Sequence, residues 1–381
     1  MGSLQSPPRP VTPPPSPDNS SSQNRVFAAF RFREAPGPGL NMSIRIECYD
    51  PSHNTWNYVT SIPGLIENHG LKDFAMVSLD GSIFIIGGIL FHQFKAQTSS
   101  EDEPNSPAEE DVRVLPSVLR YNVRTDQWSK CASLAIPRYD FAYVVCDNKI
   151  YVAGGKSTLS SATGVSSAEV YEPGLDEWTP LPDMSTLRYK CVGVTWEGKI
   201  HVVGGFAVKE GSGTNPLNFT AERSSAEVYN MQDQKWDLVA RMWQLDIPPN
   251  QIVAINGRLL SSGDCLKVWK GHVEAYDWEQ KIWNEVEGSG LQTLNWPISN
   301  PNSNNEMSRA LVQQLYLTIA PIGKFLYFLA GYRMDGETPR TKSIVHRFDT
   351  SATNNAWTSF EPMEEEGEKL LCSHCCTVQL S

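Results

Sequence analysis

The sequence lacks the features that mark membrane, secreted or nucleic-acid-binding proteins. No apolar run approaches the roughly 18 residues of a membrane-spanning helix. The N-terminus is rich in proline and serine and has no apolar core, so it does not fit a secretory signal. The net charge of -11 argues against nucleic acid or an anionic membrane as the main partner. These absences predict an intracellular protein, cytoplasmic or nuclear, whose eight cysteines are reduced thiols.

Two segments are predicted to be disordered. Residues 1–24 form a proline- and serine-rich tail that cannot bury a core. Its first residues also fit the M-G-x-x-x-[ST] pattern of N-myristoylation at Gly2. Residues 96–113 include SSEDEPNSPAEED and are strongly acidic. This second segment is either a solvated insertion or a regulatory or partner-binding loop.

An internal repeat organises the remaining chain. The segments GSIFIIGG (81–88), NKIYVAGG (148–155) and GKIHVVGG (198–205) are apolar and end in two glycines. Further along each unit, a tyrosine precedes a tryptophan by seven residues in five copies, and a sixth copy has a phenylalanine nine residues before its tryptophan. The repeat residues are Gly87, Gly88, Gly154, Gly155, Gly204, Gly205, Tyr49, Trp56, Tyr121, Trp128, Tyr171, Trp178, Tyr229, Trp236, Tyr276, Trp283, Phe348 and Trp357.

This repeat resembles the kelch repeat, in which about 50 residues form one four-stranded blade of a β-propeller. The resemblance covers residues 25–381 and implies an all-β, six-bladed kelch propeller. A single four-stranded sheet cannot bury both of its faces, whereas sheets in a ring pack against their neighbours. The glycines suit positions of close backbone approach, and the aromatic pairs supply large area between blades.

The two ends of the chain are predicted to share one blade. We label the strands of each blade a to d, with a innermost. LCSHCCTVQLS (371–381) aligns with strand a, whereas 24–32 aligns with strand b and 44–56 with strands c and d. Ring closure at this blade explains the C-x-x-C spacing of Cys372 and Cys375 without a metal or redox site, since neighbours at this spacing face opposite sides of a strand. No metal ligands and no cofactor are predicted.

One face of the propeller is predicted to carry binding. The a–b and c–d turns are short, whereas the b–c and d–a loops, which emerge together on the other face, are long and variable. Arginines before strand a of successive blades either clamp a carboxylate or phosphate of a partner or form structural pairs within the loop layer. The predicted partner-binding residues are Arg138, Tyr139, Arg188, Tyr189, Arg223 and the arginine of Pro339–Arg340.

The segment SSAEVYEPGLDEWTPLPDM and the arrangement in six repeat units resemble those of plant F-box/kelch-repeat proteins. In those proteins the F-box docks a cullin-ligase adaptor and the propeller holds the substrate. The 24 residues before the propeller are fewer than the ~40 of an F-box. The chain is therefore expected to be a relative without an F-box, the product of a truncated gene model, or a propeller that works with a separate adaptor. It implies a non-catalytic protein-interaction module, a substrate receptor or adaptor of ubiquitin-ligase type. The recurring arginines, Arg138 and Arg188, predict an acidic or phosphorylated partner.

The alternative is a small-molecule enzyme, or a metal-dependent protein similar to the plant specifier proteins, using the mouth of the central channel. The E-x3-D-x3-H iron pattern of the specifier proteins does not occur in the sequence. No Ser/His/Asp or paired-carboxylate spacing stands out either, although a propeller assembles sites from distant blades. The sequence therefore favours binding over catalysis.

Overall fold

The structure is a computed structural model that describes residues 23–33, 44–65, 69–92, 112–209, 222–264, 268–269, 271–291, 313–334, 338–352 and 356–380. These residues form 31 strands, with helical backbone only at residues 222–223. Almost all of the predicted tail (1–24) and of the predicted acidic loop (96–113) lies outside the described residues.

Five antiparallel sheets each contain four strands paired in chain order, as predicted for blades. Blade 1 contains β5 (Ala75–Leu79), β6 (Ser82–Ile86), β9 (Val118–Asn122) and β10 (Gln127–Cys131). Blade 2 contains β11 (Ala142–Cys146), β12 (Lys149–Ala153), β13 (Ala168–Glu172) and β14 (Glu177–Leu181). Blade 3 contains β16 (Val192–Trp196), β17 (Lys199–Val203), β19 (Ala226–Asn230) and β20 (Lys235–Val239). Blade 4 contains β21 (Ile252–Ile255), β22 (Arg258–Ser261), β23 (Glu274–Asp277) and β24 (Ile282–Glu285). Blade 5 contains β25 (Gln314–Ile322), β26 (Phe325–Met334), β27 (Arg340–Asp349) and β28 (Trp357–Ser359).

The sixth blade joins the two ends of the chain, which confirms the predicted closure. Its strands b, c and d are β1 (Gln23–Arg33), β2 (Ile44–Asp50) and β3 (Thr55–Ser61), and its strand a is β31 (Cys376–Leu380). β31 pairs antiparallel with the first half of β1, from Gln23↔Leu380 to Phe27↔Cys376. The innermost strands contact one another in the order β5, β11, β16, β21, β25 and β31, and β31 contacts β5 again. Backbone hydrogen bonds, rather than a covalent bond, therefore close a six-bladed ring.

The closing edge differs from the single continuous strand that was predicted over 371–381. β30 (Glu368–Leu371) pairs with the second half of β1, from Phe30↔Leu371 to Arg33↔Glu368, and residues 372–375 between β30 and β31 are not extended strand. The strand alternation expected for Cys372 and Cys375 is therefore wrong. The reason is that β1 has 11 residues and offers its edge to two short strands with a bend between them.

The repeated aromatic pairs pack between blades as predicted. Tyr171 faces Trp178 across the c–d hairpin, and their ring centroids are 5.1 Å apart. The indole N–H of Trp178 donates to the carbonyl of Ala132 in the preceding blade at 2.9 Å. Trp236 and Trp283 make the same contact with their own preceding blades, at 2.8 Å each. These three tryptophans therefore join their blades to the previous ones.

A buried lysine reinforces the joint between the chain ends. Lys369 in β30 has no exposed surface, and its Nζ lies 2.5 Å from an Oε atom of Glu47 in β2. The same ammonium lies 3.1 Å from Glu365 and 4.3 Å from the centroid of the Phe30 ring. Burial is the main reason why the pKa of Glu47 is raised, although Lys369 opposes that shift.

Small additional sheets extend the face that carries the b–c and d–a segments. The first contains β4 (His69–Lys72), β7 (Ile89–His92) and β8 (Arg113–Val114) in blade 1. The second pairs β15 (Thr186–Tyr189) with β18 (Phe206–Lys209) in blade 3. A further strand, β29 (Met363–Glu366), pairs with β27 in blade 5. The a–b turns on the opposite face have only two residues in blades 1 to 4.

Removal of β31 is expected to open the ring and to abolish cooperative folding. Deletion of residues 376–381 leaves the edge of β1 unpaired and removes Val378, which is buried. The cost is expected to be comparable with the whole stability of a domain, about 5–15 kcal/mol. Thermal unfolding followed by circular dichroism measures it. The full-length variant Gln379→Ala, which changes an exposed side chain of the same strand, is the control; a truncated chain that melts like this control would contradict the prediction.

Candidate partner-binding face

A cavity of about 420 Å³ lies at the mouth of the central channel. Its wall includes the residue two positions before strand a in five of the six blades, namely Asp73, Asp140, Lys190, Asn250 and His374. Because these residues end the d–a segments, the cavity opens on the face that carries the additional sheets. Pockets of this size hold a small molecule or a few residues of a peptide.

A repeated turn fixes three of the charged residues at this mouth. Asp73, Asp140 and Lys190 occupy matching positions in LKDFA, RYDFA and RYKCV and have φ angles of 55°, 52° and 53°. The backbone N–H of Lys190 donates to the carbonyl of Asp140 at 2.7 Å. The N–H of Asp140 donates in turn to the carbonyl of Asp73 at 3.4 Å. The turns of three successive blades are therefore linked, which holds their side chains around the cavity.

Asp140 is the carboxyl group at this mouth with the strongest perturbation. Burial raises its pKa to about 6, and the neighbouring carboxylate of Asp73 adds to that shift. The positive charges of Lys190, Lys156 and Lys72 oppose the shift. A carboxyl group that faces a cavity with a raised pKa is a common feature of binding and catalytic sites.

The floor of the cavity contains neutral sulfur and nitrogen groups. Burial raises the pKa of the Cys372 and Cys375 thiols to about 12, so both are protonated at neutral pH. Burial lowers the pKa of His374 to about 4, so its imidazole is neutral. Cys375 also contacts the backbone carbonyl of Ile319, with its Sγ 3.3 Å away. Reactive or metal-binding thiols require a lowered pKa, which these cysteines do not have.

Within the described residues, no group of three or more His, Cys, Asp or Glu side chains is arranged to hold a metal ion. The seven cysteines that the structure describes are all free thiols.

The structure places Arg138 and Arg188 inside the protein, not on an accessible surface. Both have 0% exposure. Arg138 donates to Glu169 at 2.8 Å and to the carbonyls of Gly154 and Ser167 at 2.9 Å each. The predicted clamp on a partner therefore has no free guanidinium, and the structural alternative describes these two residues better.

The second arginine repeats this arrangement one blade later. Arg188 donates to the carbonyls of Gly204 and Ser225 at 3.0 and 3.1 Å. Each arginine therefore ties the glycine bend after strand b to the residue before strand c of its blade. A side chain cannot replace hydrogen at the second glycine of the bend, because a Cβ on Gly155 would lie 2.6 Å from the carbonyl oxygen of Tyr139.

The other predicted binding residues differ in accessibility. Tyr139 is buried, whereas Tyr189 and Arg223 are half-buried. Arg340 lies in β27, is exposed and pairs with Glu364 at 3.2 Å. Tyr189 and Arg223 are brought close together by Phe206, which contacts both of them.

Sequence reasoning missed Lys156 and Phe206, which both directly follow a glycine pair. It also missed Asp140 and Lys190 at the cavity. Their signal was their position in the repeat, since the residue after the glycine pair is paired with a residue before strand a in blades 1 to 3.

The internal repeat, the six blades and the closure of the ring by the two chain ends define a six-bladed β-propeller of the kelch type. The family model named Kelch motif matches residues 137–185, which span blade 2. This match supports the kelch character of the repeat.

Two similar proteins come from Arabidopsis thaliana. F-box/kelch-repeat protein At1g16250 is 31% identical over 195 residues, which cover 51% of this chain and 45% of that protein. F-box/kelch-repeat protein SKIP30 is 31% identical over 127 residues, covering 33% and 32%.

Similarity extends to animals. Kelch-like protein 35 of Mus musculus is 25% identical over 175 residues, covering 40% of this chain and 28% of that protein. The matched part is less than half the length of each of these three relatives.

The solved structure of YjhT is also similar. It covers 87% of this chain and 98% of its own chain, with a TM-score of 0.54 and 12% identity, which supports the fold alone. In the described parts of the chain, no helix is long and apolar enough to cross a membrane.

Mutation of Arg138 is expected to reduce stability. Arg138→Met leaves Glu169 buried without its partner, and breaking a buried ion pair costs about 3–5 kcal/mol. Chemical denaturation measures this loss. Arg340→Met removes an exposed pair and is the control, with an expected change within about 1 kcal/mol. Equal stability of the two variants would contradict the structural role of Arg138.

Asp140 is expected to make stability depend on pH. Its folded-state pKa of about 6 exceeds the ordinary value of 3.8, so the folded state binds more protons between these values. Stability should therefore fall as pH rises from about 4 to about 6. Asp140→Asn should remove that part of the pH dependence in urea unfolding.

Asp73→Asn should lower the pKa of Asp140, because it removes the neighbouring negative charge. The carboxyl ¹³C chemical shift of Asp140, followed as a function of pH, measures its pKa in the wild-type chain and in the Asp73→Asn variant. A titration midpoint of Asp140 near pH 4 in the wild-type chain, unchanged by Asp73→Asn, would show that burial and Asp73 do not perturb its pKa.

Proposed function

We propose that this chain is a non-catalytic module that binds a partner protein through the b–c/d–a face. The main support is the difference between the two faces of the propeller. The sheets β4–β7–β8 and β15–β18 extend it beside a cavity of about 420 Å³, whereas the opposite face carries short turns. Extended loops on a rigid scaffold are the usual place of binding residues.

We further propose a role as substrate receptor or adaptor in a complex of ubiquitin-ligase type, in the cytoplasm or nucleus. The support is the similarity to proteins whose names include F-box/kelch-repeat, Kelch-like, and Kelch repeat and BTB domain-containing. The proposed role is therefore carried over by analogy from proteins of similar fold and sequence. An acidic or phosphorylated partner was proposed from Arg138 and Arg188, and their burial removes that support.

A small-molecule site at the channel mouth is the second candidate. It is favoured by the cavity itself and by Asp140, whose pKa of about 6 suits proton transfer near neutral pH. Such a ligand would contact Asp140 and Lys190, which both line the cavity.

Cross-linking of the captured partner tests which face binds. The tagged full-length chain is incubated with an extract of its source tissue, treated with an amine-reactive cross-linker and digested for mass spectrometry. Lys72 and Lys190 lie on the proposed face, whereas Lys199 and Lys324 lie at a–b turns of the opposite face. All four lysines are exposed, so the cross-linker can reach each of them.

Partner cross-links to Lys72 and Lys190, but not to Lys199 and Lys324, are the expected result. Cross-links that are confined to Lys199 and Lys324 would place binding on the other face and reject the proposal. A low-molecular-mass ligand that copurifies with the chain and is lost on Asp140→Asn would favour the second candidate.

A further inference from the structure

We propose that the cavity at the channel mouth binds a free amino acid that has an apolar side chain. Asp140 holds the α-ammonium group of this ligand, Lys190 holds its α-carboxylate, and the aromatic wall of the cavity receives its side chain. This inference rests on the second candidate function, the small-molecule site, and names the class of its ligand. It does not depend on the protein partner proposed for the same face.

The rim of the cavity, formed by Asp73, Asp140 and Lys190, carries two groups of opposite charge that have no direct partner. Among the described residues, the carboxyl group of Asp140 accepts no hydrogen bond and forms no ion pair. The ammonium group of Lys190 is exposed and is unpaired in the same sense. The two groups interact electrostatically, so they are near each other without being in contact. A ligand that carries both charges would pair each group with its opposite.

Asp140 is the carboxyl group best placed to hold an ammonium group. It is half-buried, and no donor of the described residues replaces the water that burial removes. Burial of a charge is unfavourable unless an opposite charge or a hydrogen-bond donor accompanies it. Its pKa of about 6 leaves the carboxylate mostly ionised at neutral pH. Asp73 faces the same cavity but already lies 3.8 Å from the ammonium group of Lys72.

Lys190 is the cation best placed to hold a carboxylate. Its backbone N–H donates to the carbonyl of Asp140 at 2.7 Å, which fixes the two turns relative to each other. The other nearby lysines are engaged, because Lys72 pairs with Asp73 and the ammonium nitrogen of Lys156 lies 4.2 Å from the centroid of an aromatic ring. Such prior positioning of two opposite charges reduces the entropy that a zwitterionic ligand loses on binding.

Below the rim, the wall of the cavity is apolar and uncharged. Phe74 and Phe141 line it together with Tyr143, and the rings of Phe141 and Tyr143 are 6.1 Å apart at an angle of 67°. His374 also lines the cavity and is neutral, because burial lowers its pKa to about 4. A rim with both charges and an uncharged wall matches an ammonium group, a carboxylate and an apolar side chain on one carbon atom. It does not match a dicarboxylate, a diamine or a phosphate ester, which would leave one rim charge unpaired.

Isothermal titration calorimetry on the full-length chain tests this inference, with L-leucine and L-phenylalanine as probes. The N-acetyl derivative of each probe lacks the ammonium group, its amide lacks the carboxylate, and glycine lacks the apolar side chain. At least one probe should bind about tenfold more tightly than its two derivatives and than glycine. Each of these comparisons removes one of the three proposed contacts.

Two variants assign the contacts to residues. Asp140→Asn should weaken binding of the better probe about tenfold and should not weaken binding of its N-acetyl derivative, which has no ammonium group for Asp140. Lys190→Met should also weaken binding of the probe about tenfold and should not weaken binding of its amide. Lys199→Met removes an exposed lysine at an a–b turn of the opposite face and is the control, with unchanged binding expected.

Three results would overturn the inference. These are no binding of either probe at concentrations up to about 10 mM, derivatives that bind as tightly as their probes, and wild-type affinity in both rim variants at an unchanged melting temperature. A copurified ligand of another class that is lost on Asp140→Asn would reject the amino acid but keep the small-molecule site. The cross-linking pattern of the captured partner tests the protein-binding function separately, so its failure is distinguishable from failure of the amino-acid site.

Discussion

The pairing of β31 with β1 is the constraint on which the rest of this propeller depends. Each blade packs only against its two neighbours, so a ring with one open joint exposes two sheet faces. The backbone bonds between Gln23–Phe27 and Cys376–Leu380 close that joint without a covalent link. The buried contact between Lys369 and Glu47 joins the same two ends of the chain. The position of every strand a around the channel, and therefore the shape of the cavity, follows from this closure.

The two buried arginines stabilise the backbone beneath the binding face and do not form part of its surface. Arg138 and Arg188 reach the first glycine carbonyl of the bend after strand b in their own blades. Because that bend fixes where the next residue emerges, the arginines position Lys156 and Phe206 without meeting a ligand. A guanidinium has five donors, so it can satisfy several backbone carbonyls that would otherwise be buried without partners.

The closing blade could be predicted because the sequences of the two chain ends complete each other's strand pattern. The interruption between β30 and β31 at residues 372–375 could not be predicted. It depends on the length of β1 and on how β30 pairs with the second half of β1. The C-x-x-C spacing of Cys372 and Cys375 is typical of a metal or redox site. The fold instead buries these thiols and raises the pKa of both Cys372 and Cys375 to about 12.

The sequence by itself determined the number of blades, their strand order and the place of closure. Those features follow from local patterns, because glycine pairs mark bends and a fixed tyrosine–tryptophan spacing marks a hairpin. Only the tertiary structure decided which charges face solvent. Burial of Arg138 and the contact of Lys156 with Tyr189 depend on the distance between neighbouring blades. No local pattern encodes that distance, since it results from the packing of whole sheets around the ring.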